Sequence, residues 1–224
     1  MTVVGIDACK KGWIVVALSR DIPTAHYIPT IERLLDVVED VSTIAIDIPI
    51  GMPSRGARSA DELARKYVGP RRSSVFRVPV RESLEAGDYA TANQISIERS
   101  GVGLSQQSFA LREKVLQVDA WRPIAPCSVW EVHPEVSFRR MLGVPLVHAK
   151  KSWAGMNLRR NALRTNGIDV DALVDRAGDY AGTDDLLDAA AAAWSAERIS
   201  RGAQESFPTE TRPSQVDEGN TIWY

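Results

Sequence analysis

Two runs, Val3-Val4-Gly5-Ile6-Asp7 and Trp13-Ile14-Val15-Val16-Ala17-Leu18, joined through Cys9-Lys10-Lys11-Gly12, decide how the chain is read. Their apolar and β-branched residues favour extended backbone, and Lys-Lys-Gly is a short polar connection between two strands. Residues 44–50 form a third run of the same kind. Between these runs Ile31, Leu34, Leu35 and Val38 recur at about helical spacing, with Pro29 and Thr30 suited to start a helix. The N-terminal part is therefore expected to build a sheet, with a helix and then a strand over residues 30–49.

Working outward, residues 61–67, 81–100 and 105–120 read as helices, and Pro123 and Pro126 end that stretch. Ser-Val-Trp-Glu-Val-His-Pro at 128–134 restores strand character. Residues 152–165 and 184–201 are expected as helices stopped by Gly167 and Gly202, residues 204–219 as a loop, and 221–224 as a short edge strand. No fixed-period duplication is visible. The expectation is a single α/β domain over residues 1–224, with a helical insertion over approximately 52–124.

The 27 Lys plus Arg nearly balance 29 Asp plus Glu, which argues against a uniformly basic nucleic-acid coat and an acidic disordered tail. Lys10 and Lys11 follow the first apolar run, whereas a secretion signal carries its charges before one. The alanine run at 189–193 is too short to cross a membrane. A cytoplasmic protein with no membrane partner is expected. Cys9 and Cys127 form no CxxC pair and read as structural thiols.

Asp7 and Asp47 each interrupt an apolar run, where an uncompensated carboxylate would be costly. Neighbouring strands could bring them together at a sheet end. Glu131 and Glu135 flank His133 and share a side if that strand continues, while Asp184, Asp185 and Asp188 open the long C-terminal helix. Asp7, Asp47, Glu131 and Asp185 or Asp188 make an all-oxygen set suited to Mg²⁺ or Mn²⁺. The structural alternatives are a strand-terminal turn at Asp7, an ion pair at Asp47 and first-turn helix stabilisation at Asp184 or Asp185.

Gly-Ile-Asp-Ala-Cys-Lys-Lys-Gly-Trp (5–13), Ile-Ala-Ile-Asp-Ile-Pro-Ile-Gly-Met-Pro (44–53), Trp-Glu-Val-His-Pro-Glu-Val-Ser-Phe (130–138) and Thr-Asp-Asp-Leu-Leu-Asp-Ala-Ala-Ala-Ala-Ala-Trp (183–194) together resemble the DUF429 family. The resemblance implies a ribonuclease H-like mixed-sheet core flanked by helices, with nuclease-type hydrolysis as its activity. It implies Asp7, Asp47, Glu131, Asp185 and Asp188 as catalytic and metal-binding acids. Glu131 stands in this scheme as the middle acid, and either Asp185 or Asp188 faces inward.

His133 and Glu135 suit a supporting or proton-transfer role, and His133 alternatively a purely structural one. Residues 55–81 carry eight Lys or Arg against two acids, and residues 139–164 carry seven with none. Lys10, Lys11, Arg71, Arg72, Lys150, Lys151, Arg159 and Arg160 are accordingly candidates to position phosphate, with Tyr67 and Phe76 available for base stacking if exposed. Gly101-Val102-Gly103 lacks the Walker arrangement, and Gly5-Ile6-Asp7 lacks a GxGxxG helix entry. The partner expected is nucleic acid or a small phosphodiester. Two other readings fit the same residues: an ATP-dependent sugar or metabolite phosphotransferase, and a non-catalytic binder of nucleic acid or phosphorylated metabolites.

Overall fold

Residues 1–20, 22–209 and 220–224 are described in a computed structural model. Among them, six strands make one mixed sheet: β1 (Thr2–Ala8), β2 (Trp13–Leu18), β3 (Thr24–Ile28), β4 (Val41–Ile46), β5 (Val129–Glu131) and β6 (Val174–Arg176), in the order β5-β4-β1-β2-β3-β6. β2 pairs antiparallel with both β1 and β3, whereas β4 pairs parallel with β1, β5 with β4, and β6 with β3. The sheet and its flanking helices form an α/β fold.

β1 lies in the middle of this sheet and is covered on both faces, which explains its unbroken apolar run. Val4 and Ile6 point into one core layer with Trp13, Val15, Ile44, Ile46, Val115 and Val118. Gly5 points the other way, toward α8 (Thr183–Ser200). A Cβ at Gly5 would lie 2.0 Å from the Ala193 backbone nitrogen and 2.2 Å from the Ala189 carbonyl oxygen. The helix therefore rests directly on the strand backbone. The five alanines at 189–193 are all fully buried, and larger side chains there would hold the helix off the sheet.

The insertion between β4 and β5 contains α1 (Ser59–Val68), α2 (Arg81–Leu84), α3 (Tyr89–Ser100), α4 (Gln106–Ala110) and α5 (Arg112–Trp121). Residues 81–100, expected as one helix, break at Gly87, and Asp88 caps α3 by accepting the Thr91 N–H at 3.0 Å. Residues 105–120 divide similarly at Leu111. After β5 come α6 (Pro134–Leu142) and α7 (Trp153–Thr165). The strand expected to continue through Glu135 turns into α6 at once, because His133 accepts the Glu135 N–H and Pro134 supplies a first helical residue with no orphan N–H.

The short strands β3 and β6 have no counterpart in the expectation. β3 is confined between Pro23 and Pro29, and β6 is exposed throughout, so neither carries a strong apolar alternation. β7 (Ser206–Phe207) pairs with β8 (Ile222–Trp223), matching the expected C-terminal strand; residues 210–219 of the expected loop lie outside the described residues. Cys9 is buried, Cys127 half-buried, and both are free thiols. Among the described residues no helix is long and apolar enough to cross a membrane.

Candidate functional site

Asp7 and Asp47 meet at one end of two parallel strands. Ile6 and Ile46 are in register, and the Asp47 N–H donates to the Ile6 carbonyl at 2.9 Å, so the next residue on each strand stands side by side. Neighbouring strands are about 4.8 Å apart. Asp7 Oδ1 accepts the Ala8 N–H at 2.8 Å. Asp7 shares the Gly5 face of β1, so the helix seated on Gly5 delivers Asp188, in its second turn, to the same place.

These three acids line a cavity of about 310 Å³ with Glu135, Asp185 and Lys150. Asp7 and Asp188 are buried and Asp47 is partly so. Burial holds the Asp7 carboxyl well above the usual carboxylate range, and the charges of Asp47 and Asp188 push it the same way. Burial likewise raises Asp47 to about 7, opposed by Lys150 and assisted by Glu135. Asp188 is raised to about 7 by burial, with Lys150 pulling it down and Asp47 and Glu135 pushing it up. Burial is the largest cause for all three acids, and neighbouring carboxylates add to it.

Lys150, in the α6–α7 connection, supplies the compensating charge. Its ammonium donates to Asp188 Oδ2 at 2.6 Å and lies 3.5 Å from Asp184 Oδ2. Burial opposes that charge, but Asp188, Asp7 and Asp47 outweigh it and hold the lysine above its ordinary range. Lys151 is exposed and 3.6 Å from Asp184. Asp185 accepts the Gly182 N–H at the start of α8 at 3.3 Å, so one of its oxygens caps the helix while its side chain lines the cavity.

Glu131 and Glu135 hold places opposite to those the sequence suggested. Glu131 Oε1 and Oε2 receive Arg58 at 2.6 and 2.8 Å, and Oε2 also accepts the Ile50 N–H at 2.6 Å. Arg58 in turn donates to Asp61 at 2.6 Å, all within a buried network that ties α1 to the sheet. Glu131 borders the cavity but its oxygens are engaged there. Glu135, which entered as a supporting residue, pairs through Oε1 with the fully buried Arg159, while its buried Oε2 has no partner among the described residues. The α6 turn that sequence reading missed is what moves Glu135 into the acidic group.

His133 spends both ring nitrogens on structure. Nδ1 accepts the Glu135 N–H at 3.2 Å and Nε2 faces the Ser74 carbonyl at 3.3 Å, which fixes the neutral tautomer with its proton on Nε2. Burial lowers its pKa. This geometry makes His133 the N-cap of α6, the structural one of the two roles its sequence position allowed.

Most of the concentrated basic charge is consumed by ion pairs. Arg159 is not a surface phosphate contact but the buried partner of Glu135, and Arg160 pairs with Asp171. Arg140 pairs with Glu205, and Tyr67 packs against Arg139, Phe207 and Tyr224, which removes it as a stacking surface. Arg72 is exposed. Arg71, from the turn Gly69–Ser74, and Phe76 line the cavity, and the buried Arg71 Nε has no partner among the described residues. Lys10 and Lys11 belong to a separate cleft.

Hard oxygen donors, with an orphaned carboxylate oxygen on Glu135 beside them, suit Mg²⁺ or Mn²⁺. Among the described residues, no three His, Cys, Asp or Glu side chains are already closed into a coordination group; the Lys150 ammonium stands with the acids. Comparison with curated proteins finds no match, and comparison with solved structures finds none. Residues 5–212 match the family model described as "Protein of unknown function (DUF429)", which spans most of the chain, and the chain belongs to that family.

Proposed function

We propose that the cavity is the active site of a divalent-metal-dependent phosphodiesterase acting on nucleic acid or a related phosphodiester. One observation carries the reading: acids from β1, the end of β4 and α8, far apart in sequence, converge in one cavity that also presents an unpaired arginine nitrogen. A core stabilised only by packing would not collect carboxylates that raise one another's pKa. The sheet, with antiparallel strands on one side of β1 and parallel strands on the other, is compatible with the ribonuclease H-like core that the family resemblance implies.

Asp7, Asp47 and Asp188 would hold the ion, with Glu135 and Asp185 beside them. Bound there, Mg²⁺ or Mn²⁺ supplies Lewis-acid polarisation of a phosphoryl oxygen and lowers the pKa of water. Arg71, which lines the same cavity, would bind a substrate phosphate oxygen and so hold the anion near otherwise repelling carboxylates. Lys150 neutralises part of the acidic charge before substrate arrives. The Arg58–Glu131 pair keeps the insertion wall, and Arg71 with it, in register with the sheet.

The test is hydrolysis of bis(p-nitrophenyl) phosphate, DNA and RNA with Mg²⁺ or Mn²⁺, compared with Asp7→Asn and Asp47→Asn. Metal-dependent product release that falls by roughly 10²-fold or more in each folded variant is the expected result. Undiminished metal-stimulated hydrolysis by the folded double variant rejects the assignment. Binding without turnover on all three substrates would make the chain a binder instead.

A further inference from the structure

The sheet register links the acids to a second cleft. Asp7 is paired with Ile14, and Ile14 with Tyr27, so the three side chains form one row on one face across β1, β2 and β3. Two strand spacings place the Asp7 and Tyr27 backbones roughly 10 Å apart. β6 adds Arg176 beyond β3, and the following turn Gly178–Tyr180 lays the Tyr180 ring on that of Tyr27, with centroids 4.0 Å apart and planes 11° from parallel. α8 begins directly after, so Tyr180 lies just ahead of Asp185 and Asp188 along the chain.

This cleft, of about 680 Å³, is lined by the cations of Lys10, Lys11 and Arg176, the acids Asp175 and Asp179, and the rings of Tyr27 and Tyr180. Tyr180 is half exposed. Asp175 is exposed, and its Oδ1 accepts the Ala177 and Gly178 N–H groups at 2.8 and 3.1 Å, which leaves its other oxygen free of that turn. The exposed Lys10, Lys11 and Arg176 form no salt bridge among the described residues, and the Lys11 ammonium is 5.8 Å from the Tyr180 ring centroid. The arrangement is held from several sides. The Tyr27 hydroxyl donates to the Lys11 carbonyl at 3.1 Å, and Lys114 of α5 donates to the Gly12 carbonyl at 2.9 Å. A Cβ at Gly12 would lie 2.2 Å from the Ile28 carbonyl and 2.6 Å from the Tyr27 ring, so glycine permits the close approach.

We infer that this cleft is a nucleobase-stacking subsite for a single-stranded nucleic acid whose neighbouring phosphodiester lies at the carboxylate cavity. The inference rests on the phosphodiesterase reading and adds its substrate class. An exposed ring fixed by a second ring offers a flat surface to any base, and unpaired cations around it suit the flanking phosphates. A base already stacked within a duplex would have to leave its stack to use that surface. With about 3.4 Å of rise per nucleotide in a stacked strand, the roughly 10 Å between the Asp7 and Tyr27 backbones corresponds to about three nucleotides. Lys10 and Lys11, on the turn that leaves β1 just after Asp7, are positioned for the phosphates between.

The test is fluorescence anisotropy of a short labelled oligothymidylate, measured with the full chain in EDTA so that hydrolysis plays no part. Its comparators are an abasic strand with the same number of phosphates, the matching duplex and free thymidine monophosphate. The single strand should bind roughly tenfold more tightly than the abasic strand, the duplex or the mononucleotide. Tyr180→Ala should remove that advantage, while Tyr180→Trp, which restores a stacking surface, should retain it. Lys10→Ala with Lys11→Ala should weaken the normal and abasic strands alike. Equal affinity for normal and abasic strands, or no effect of Tyr180→Ala, overturns the inference. So does equally tight binding of the mononucleotide, which would make the cleft a free-nucleotide site. Strand binding as expected in a chain that hydrolyses no diester would leave the stacking subsite standing and remove the catalytic reading instead.

Discussion

Lys150 Nζ lies 2.6 Å from Asp188 Oδ2, so the counter-charge for the carboxylate cavity is an ammonium on a partly exposed side chain. A divalent ion drawn to the same acids would compete with it. Lys150→Met keeps much of the side-chain length and removes the charge. We expect the variant to melt at a lower temperature without metal and to bind Mg²⁺ or Mn²⁺ roughly tenfold more tightly, about 1.4 kcal/mol, by calorimetry. Weaker binding in Lys150→Met would show instead that the lysine assists the ion.

Stability should depend on pH in an unusual direction for carboxylates. Asp47 and Asp188 have folded-state values pushed up to about 7, against an unfolded value of 3.8. The folded state therefore holds more protons between these values, and the contribution is present below the unfolded value and lost as pH rises through about 7. Metal-free protein should melt at a lower temperature at pH 8 than at pH 5.5. Asp47→Asn should flatten that dependence, and Mg²⁺ should protect most at the higher pH. Scanning calorimetry across the range checks it; a rise in melting temperature with pH would contradict the assigned burial of these acids.

Glu131 and Arg58 make a buried pair whose halves cannot be removed separately without cost. Arg58→Met should destabilise the fold by about 3–5 kcal/mol because it strands Glu131 and Asp61. Combining it with Glu131→Met should recover part of that loss. Glu131→Gln should leave divalent-ion affinity within about threefold of the parent if the glutamate only positions the insertion wall. A much larger drop in affinity, in a variant that melts normally, would make Glu131 a ligand after all.

Gly5→Ala should be among the most damaging changes even though alanine is small. Its methyl would meet the backbone of α8, and backbone cannot swing aside as a side-chain end can. Forcing the helix away should cost about 3 kcal/mol or more and displace Asp188 from Asp7. Chemical denaturation reads the first effect, and metal titration of the surviving folded fraction reads the second.

Much of this architecture was legible in the residues. The paired runs around Lys10 and Lys11 produced β1 and β2, and Ser152 with Gly167, and Gly202, bounded α7 and α8 closely. Asp7 and Asp47 were noticeable because ionisable groups inside apolar runs conflict with local patterning. Glu131 stood out by the same criterion, but its compensation comes from Arg58, more than seventy positions away, which no local pattern reveals. Glu135 was hidden by Pro134. A proline that ends one element also starts helices well, and the choice depends on His133 reaching the Glu135 N–H. The tyrosine pair was invisible because β3 and β6 are short and lack periodicity. Likewise, the clustered arginines suggested a phosphate surface, but their acidic partners lie on other elements and only appear after folding.

The docking of α8 on Gly5 also sets when the cavity can exist. Asp7 and Asp47 are synthesised well before Asp188, which lies more than a hundred positions further along the chain. The contact that unites them is therefore long-range and cannot form until α8 has been made. A truncated product can build β1, β2 and β4 without acquiring the complete set of acids. The acidic centre is thus assembled only once α8 has been made, however much of the sheet has formed by then.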